Sequence, residues 1–307
     1  MPIDFEFTEE QQMFRDTIRD FGENEISPLV EAAEKNEKFP KQIFPKLGEM
    51  GFLGISFPEE YGGVGLDKVT ECIFAEEMGR INAGIAMCIN AHTSLSCVPV
   101  YKFGTKEQKE KYLIPGIEGK VIGALGLTEP DAGSDARSIR ATATKKDGKY
   151  YINGTKTWIT NGTMADYVIV AAYTDKTKKG TGISLFIVDA DAPGFTEKNK
   201  IHKLGHRSAD TAELVFENCE VPEENLLVGE HTRLRAGALG AILRPPRVQA
   251  EERRAVESAL EVLGLFGNRL IPRLDHPVYG LSYANRRRTE ISRAIMTRPK
   301  LLLLDEP

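Results

Sequence analysis

Two short runs hold the side chains best suited to binding chemistry: Gly126-Leu-Thr-Glu-Pro-Asp-Ala-Gly-Ser-Asp135 and Lys156-Thr-Trp-Ile-Thr-Asn-Gly162. Between Leu125 and Ser134 glycines, a proline, acids and hydroxyls crowd together, with apolar runs on either side. That composition excludes a regular helix or a central strand. It predicts a loop whose backbone N–H groups and hydroxyls face a ligand. In the second run Trp158 stands beside Thr160 and the turn signal Asn161-Gly162. An aromatic plane next to a hydroxyl donor suits a flat, hydrogen-bonding ring system such as a flavin. The same residues also fit a surface loop and a core tryptophan closing a hairpin, and composition does not choose between the two.

Such loops need elements to hold them. A chain of 307 residues with 41% hydrophobic content predicts a packed protein of two or three domains. Thr8-Glu-Glu-Gln11 has the spacing of a capping box, and Phe14, Ile18 and Phe21 continue it as an apolar stripe. A second helix is expected from Pro40 to about Gly51, bent at Pro45. Val69 to Gly79, the apolar span Ile81 to Phe103 and a second capping box at Thr105-Lys-Glu-Gln108 predict three more. From Val121 the period changes to short β-branched or aromatic runs at 148–154, 167–173, 183–188 and 213–216. Short strands parted by Gly, Asp and Asn turns predict an antiparallel β-barrel or sandwich. The fold class expected is therefore α+β and multidomain. Helices first and strands second argue against a Rossmann architecture, and no GxGxxG follows a strand.

Other bounds are negative. No run of about 18 apolar residues is evident, and the N-terminus lacks a basic segment followed by an apolar one. A cytoplasmic protein without a membrane span is expected, and no nucleic-acid partner. Cys72, Cys88, Cys97 and Cys219 have no CxxC spacing and read as free thiols in a reducing compartment. His202 and His206 are four apart, but Gly205 breaks any helix between them, so no metal is expected. Charge divides the chain. Residues 231–307 hold 13 Arg, 1 Lys and 8 acids, a net of +6, while residues 1–230 hold 26 basic and 37 acidic side chains, a net of −11. The basic residues before the divide are 20 Lys and 6 Arg. So abrupt a change marks a junction near 230.

Leu127-Thr-Glu-Pro130 followed by Gly133-Ser-Asp135, then Asn153-Gly-x-Lys-x-Trp-Ile-Thr-Asn-Gly162, resembles the acyl-CoA dehydrogenase family. So do Phe57-Pro-Glu-Glu-Tyr-Gly-Gly-Val-Gly65, Tyr101-x-Phe-Gly-Thr-x-Glu-Gln108 and Val221-Pro-x-Glu-Asn225, and the resemblance runs from about Phe5 to Glu230. It implies a helical N-terminal domain over 1–120, a middle β domain over 121–230, and FAD held between the β domain and a C-terminal helical bundle. By resemblance, Leu125, Gly126, Leu127, Thr128, Glu129, Pro130, Asp131, Ala132, Gly133 and Ser134 hold the isoalloxazine edge. Thr128 is a side-chain donor, and Ser134 also approaches the CoA part of an acyl-CoA substrate. Trp158 and Ile159 bring the chain against the flavin, Trp158 covers one face, and Thr160 bonds near N5. An electron-transfer flavoprotein accepts the electrons, and the family is homo-oligomeric.

After Glu230 that resemblance stops. The family's bundle, with its catalytic glutamate and its oligomer interface, is expected there. The sequence instead reads Leu281-Ser-Tyr-Ala-Asn-Arg-Arg-Arg-Thr-Glu-Ile-Ser-Arg-Ala294 and Leu301-Leu-Leu-Leu-Asp-Glu-Pro307. This tail, residues 231–307, resembles the ATPase of branched-chain amino-acid ABC transporters. It implies a signature helix from Leu281, with Tyr283-Ala284 in place of the usual double glycine, and a Walker B strand at 301–306. Asp305 then stands for the magnesium partner and Glu306 for the base. No GK[ST] occurs to cradle phosphate, and the chain ends before the downstream histidine of that family. No catalytic residue is assigned, and Glu129 reads as loop scaffold rather than base. Two readings stay open: an incomplete FAD-dependent acyl-CoA dehydrogenase, or a non-catalytic hybrid that includes a remnant of an ABC transporter ATP-binding subunit.

Overall fold

Thr8 starts the first helix as its spacing predicts. In the computed structural model, which describes residues 6–178 and 182–228, the Thr8 hydroxyl accepts from Gln11 N and the Gln11 side chain accepts from Thr8 N, both at 3.1 Å. Helix α1 (Glu9–Phe21) buries Ile18 completely and sets Phe14 and Phe21 edge-on against Phe52. A π-helical turn, Gly22–Ile26, carries the chain directly into α2 (Ser27–Asn36). Sequence periodicity misses α2 because it begins without a capping side chain, its preceding residue Ile26 being already helical. The next helix, α3 (Ile43–Glu49), is shorter than expected. Pro45 falls in its first turn, where no N–H is needed, so it does not bend the interior. Gly51, at φ +72°, closes the turn that follows.

Asp67 caps α4 (Lys68–Ile81). Helices α5 (Ala83–Asn90) and α6 (Val98–Phe103) join through a π-helical stretch, Ala91–Cys97, into one 21-residue helix. Contrary to expectation, this helix is long and apolar enough by composition to cross a bilayer, although half of its most apolar window is buried inside the fold. Ile85, Cys88, Ile89, Cys97 and Val100 are wholly covered by protein, which accounts for its apolar character. Thr105 caps α7 (Lys106–Gln108) by a second reciprocal box, and α8 (Ile114–Ile117) ends the helical part.

Among the described residues eight strands follow: β1 (Gly123–Gly126), β2 (Thr142–Lys146), β3 (Lys149–Thr160), β4 (Tyr167–Tyr173), β5 (Ile183–Asp189), β6 (Phe195–Lys200), β7 (Thr211–Pro222) and β8 (Leu226–Val228). They form one sheet in the order β6-β7-β3-β2-β4-β5-β8, with β1 on β4. The expected antiparallel barrel is corrected on two counts. First, the sheet is mixed: β1 runs parallel to β4 from Gly123↔Tyr167 to Gly126↔Val170, and β2 meets the end of β4 in parallel at Thr142↔Tyr173. The β2–β3 hairpin lies within the connection from β1 to β4, and a connection of that length permits parallel pairing. Second, β6 and β8 stand at opposite ends of the strand order, and no pairing between them closes a barrel among the described residues.

Every residue of β4 is buried. Tyr167 and Ile169, with Ile187 and Leu227, share one apolar cluster with Phe57, Cys97, Val100, Tyr112 and Leu113 of the helical part. The chain divides into two units, Met1–Arg233 and Leu234–Pro307, and the described residues all belong to the first. The expected tail features, including the signature helix, the strand at 301–306, Asp305 and Glu306, lie outside the described residues.

Candidate functional site

The loop after β1 starts from a fixed point. Gly123 N donates to His92 Nδ1 at 3.0 Å, while His92 Nε2–H donates to the Gly116 carbonyl at 3.0 Å. That pairing requires a neutral ring, and complete burial pushes the His92 pKa down to about 4. A Cβ on Gly123 would lie 2.4 Å from Ser96 Oγ, so only glycine lets the strand approach this closely.

Beyond Gly126 the loop is tied to β3 by its carbonyls. Leu127 O accepts from Lys156 Nζ at 3.1 Å and Thr128 O from Thr157 N at 2.9 Å. Glu129 and Ala132 exchange backbone bonds of 2.8 and 3.1 Å, closing a turn over Pro130-Asp131. The Glu129 carboxylate accepts from Lys156 Nζ (2.7 Å), Ala141 N (3.0 Å) and Arg140 N (2.5 Å). Burial works to raise its pKa, but the bonds from Lys156, Arg140 and Ala141 outweigh it and hold the carboxyl below the usual range. Lys156 is 0% exposed; burial lowers its pKa and the Glu129 bond opposes that. The other two acids of the loop are also engaged. Asp131 pairs with Arg140 at 2.8 Å, and Asp135 accepts from Arg137 N and the Ser138 hydroxyl.

What remains unpaired is a set of donors. Thr128 N–H and its hydroxyl, and the hydroxyls of Ser134 and Thr160, meet no acceptor among the described residues. Trp158 is 61% exposed at φ +60°, a backbone conformation rare for a bulky side chain. It sits on a bulge: β3 spends three steps between Lys156↔Leu214 and Ile159↔Ala212 where β7 spends two. A bulge re-aims a side chain, and the backbone strain is of a kind that persists where a site needs it. The alternative of a core tryptophan at a hairpin is thereby excluded. The turn at Asn161-Gly162 closes no hairpin, since β3 pairs with β2 and β7 and not with β4.

The other expected residues are distributed unevenly. Ile159 is 2% exposed and its side chain joins the sheet core, which leaves only its backbone for a ligand. Leu125 packs against the helical cluster, and Leu127 packs with Ala132 against Ile139 and Tyr173. Gly126 is buried, Pro130, Asp131 and Gly133 are exposed, and a Cβ on Gly133 would lie 3.9 Å from Thr128 Cγ2. Beside the loop, Arg137, Ile139, Arg140, Tyr173 and Lys176 line an open cavity of about 530 Å3 that carries three cationic side chains. Lys156 stands inside the second run, where its residue type and neighbours assign it no role. Asn161, which the sequence offers only as half of a turn signal, is a buried residue at φ +68° that donates to the Cys88 carbonyl at 2.9 Å and so ties this site to α5. The one available signal was an Asn-Gly pair at a strand end, which marks a left-handed backbone position.

Comparison with known proteins is decisive for family. The model of the acyl-CoA dehydrogenase N-terminal domain matches residues 8–120 and that of the middle domain matches 124–219. The solved butyryl-CoA dehydrogenase of Megasphaera elsdenii is 34% identical at TM-score 0.70, covering 96% of this chain and 77% of that one. The chain belongs to the acyl-CoA dehydrogenase family. Among curated relatives of this dehydrogenase-family chain, an acyl-CoA dehydrogenase of Bacillus subtilis is 47% identical over 220 residues, 72% of this chain and 58% of the relative. The chain thus spans about three fifths of the length of the curated relatives it matches. A solved acyl-CoA dehydrogenase of Bacillus anthracis complexed with FAD is 34% identical at TM-score 0.67, covering 85% of this chain and 44% of that one. The ABC transporter model also matches, over residues 195–307. Its first 25 residues overlap the dehydrogenase match, in the β6–β7 region that pairs with β3 in the dehydrogenase sheet.

Proposed function

We propose that this chain supplies the FAD- and acyl-CoA-binding parts of a dehydrogenase that removes hydrogen across the α and β carbons of an acyl-CoA thioester. The observation that carries this reading is one group of unpaired donors beside a strained, exposed Trp158, on two segments tied together by Thr157 N and Lys156. A planar ring with a polar edge matches that donor set: N–H and hydroxyl groups for its edge and one indole for its face. Leu125 to Ser134 hold the edge, with Thr128 donating from its backbone and its hydroxyl. Thr160 is a further donor, and Trp158 covers one face and excludes water from it. FAD, when bound, supplies the acceptor for the hydride that leaves the β carbon.

Ser134 approaches the thioester ligand, and the cations of Arg137, Arg140 and Lys176 attract its phosphates toward the neighbouring cavity. Removing the α proton needs a carboxylate within hydrogen-bond reach. Glu129, Asp131 and Asp135 are all engaged by other partners. None of these three acids is therefore assigned as the base. Electrons pass on to an electron-transfer flavoprotein-type acceptor. We divide the chain as a helical part (1–120), a β part (121–230) and an ABC ATPase-like part (231–307), and place it in the cytoplasm.

The engaged carboxylates favour one competing reading, a hybrid that binds ligands without turnover. Two measurements separate the readings. Trp158 is the single tryptophan, so titrating FAD against the purified chain and following indole emission reports directly on this site. Emission unchanged while FAD binds places the ring elsewhere and removes the proposal. Reduction of an artificial electron acceptor with short- or medium-chain acyl-CoA then distinguishes an enzyme from a binding hybrid.

A further inference from the structure

The buried pair Lys156–Glu129 has no role in the chemistry proposed above, and burying two charges is costly enough that apolar replacements often serve stability as well. Its geometry points to another use. Lys156 Nζ bonds the Leu127 carbonyl at 3.1 Å, and a trans peptide is planar with its C=O and N–H opposed. Fixing the Leu127 carbonyl inward therefore fixes the Thr128 N–H outward. That N–H is one of the loop's backbone donors that meet no acceptor among the described residues. The next carbonyl, Thr128 O, is pinned by Thr157 N at 2.9 Å, so the peptides on both sides of Thr128 are held. Glu129 in turn holds Lys156 at 2.7 Å and ties it to the backbone at Arg140 and Ala141. Gly126 lies close enough that a Cβ there would meet Lys156 Cγ at 3.3 Å, so the stem of the lysine is enclosed as well.

We propose that Lys156 is a positioning residue for the flavin. Through the Leu127–Thr128 peptide it aims the Thr128 N–H at the ring and polarises that N–H, favouring the reduced ring over the oxidised one. A cation bonded to a carbonyl polarises the peptide and strengthens the N–H on its far side, and in a low-dielectric setting that gain is not screened away. A ring gains electron density on reduction, so a stronger donor at its edge stabilises the reduced form more than the oxidised form. The inference rests on the flavin reading above.

The test uses the full chain with FAD, reading affinity from Trp158 emission and midpoint potential from reduction against a reference dye. Lys156→Met keeps the stem and removes both charge and donor. It is expected to weaken FAD about tenfold, as loss of an ordinary hydrogen-bonded aim at one donor implies, and to lower the potential. Lys156→Gln keeps a donor without the charge, and is expected to retain more of the affinity while still lowering the potential. A purely structural role would lower the melting temperature and leave the potential of bound FAD where it was. An unchanged potential in Lys156→Gln overturns the proposal, even where Lys156→Met does not fold. FAD bound tightly and equally by all three proteins overturns the proposal but not the flavin reading. A wild-type chain that binds no FAD overturns both.

Discussion

Acidification from pH 7.5 to 5 should cost this fold about 2 kcal/mol through one residue, His92. Its ring is 0% exposed and locked as a neutral tautomer, donating to Gly116 O and accepting from Gly123 N. A proton on Nδ1 would face the Gly123 N–H, so the folded ring resists protonation until pH about 4, while an unfolded histidine takes its proton near 6.5. Between those values the unfolded chain binds a proton that the folded chain does not, and stability falls as pH falls. The contribution is whole above pH 6.5 and lost progressively down to about 4. At about 1.4 kcal/mol per tenfold, the loss reaches roughly 2 kcal/mol by pH 5 and about 3 at pH 4. Depressed carboxylates such as Glu77 act in the same direction but only below their ordinary value of 4.5, so the upper part of the window belongs to His92. Urea unfolding at pH 7.5, 6.5, 5.5 and 5.0 measures the slope. His92→Asn should be less stable throughout but flat over that range. A flat wild-type profile, or an equal slope in the Asn variant, would refute the reasoning.

Three further outcomes can be checked. Glu77 is 1% exposed and receives Arg15, Arg19 and Arg80 at 2.6–2.8 Å, so Glu77→Ala, which leaves three cations without their acceptor, should cost about 2–3 kcal/mol in denaturant unfolding. Burial works to raise the Glu77 pKa, but the arginine bonds hold it at about 2, so its share of stability is present above pH 4.5 and lost as pH falls toward 2. Trp158→Gly should leave unfolding free energy within about 1 kcal/mol of wild type, because relief at φ +60° offsets the entropy of glycine, and yet weaken FAD. Cys72 is the exposed thiol among the four, whereas burial pushes Cys88, Cys97 and Cys219 up to about 12. One thiol should therefore react quickly with a disulfide reagent in the native chain and three only on unfolding.

Local chemistry was readable from residue order. Thr8 and Thr105 announce their helices because a capping box closes within three residues. The loop at Leu127 to Ser134 was also legible, since glycines, a proline and hydroxyls are themselves the signal. What distant pairing decides was not. Gly-Ala-Leu-Gly at β1 lacks β-branched residues and becomes a strand only because β4 accepts it. The parallel pairing of β1 with β4 has no local marker, and neither has the bulge that turns Trp158 outward, because both depend on register against another strand. Lys156 reads from its neighbours as an ordinary strand lysine. Its burial follows from Glu129, 27 residues earlier.

The bonds that cross between helices and sheet set where such a chain can be cut and rejoined. His92 to Gly123, Asn161 to Cys88, Tyr112 to Asp189 and Gln108 to Glu224 stitch residues from both sides of position 120 into one body. A gene exchange between helices and strands would sever all of them and leave buried polar groups facing nothing. Downstream of β8 no such stitch among the described residues is broken. A lineage that trades segments by recombination would see offspring joined near 120 purged, while those joined past 228 keep these stitches, and with them the body they hold together.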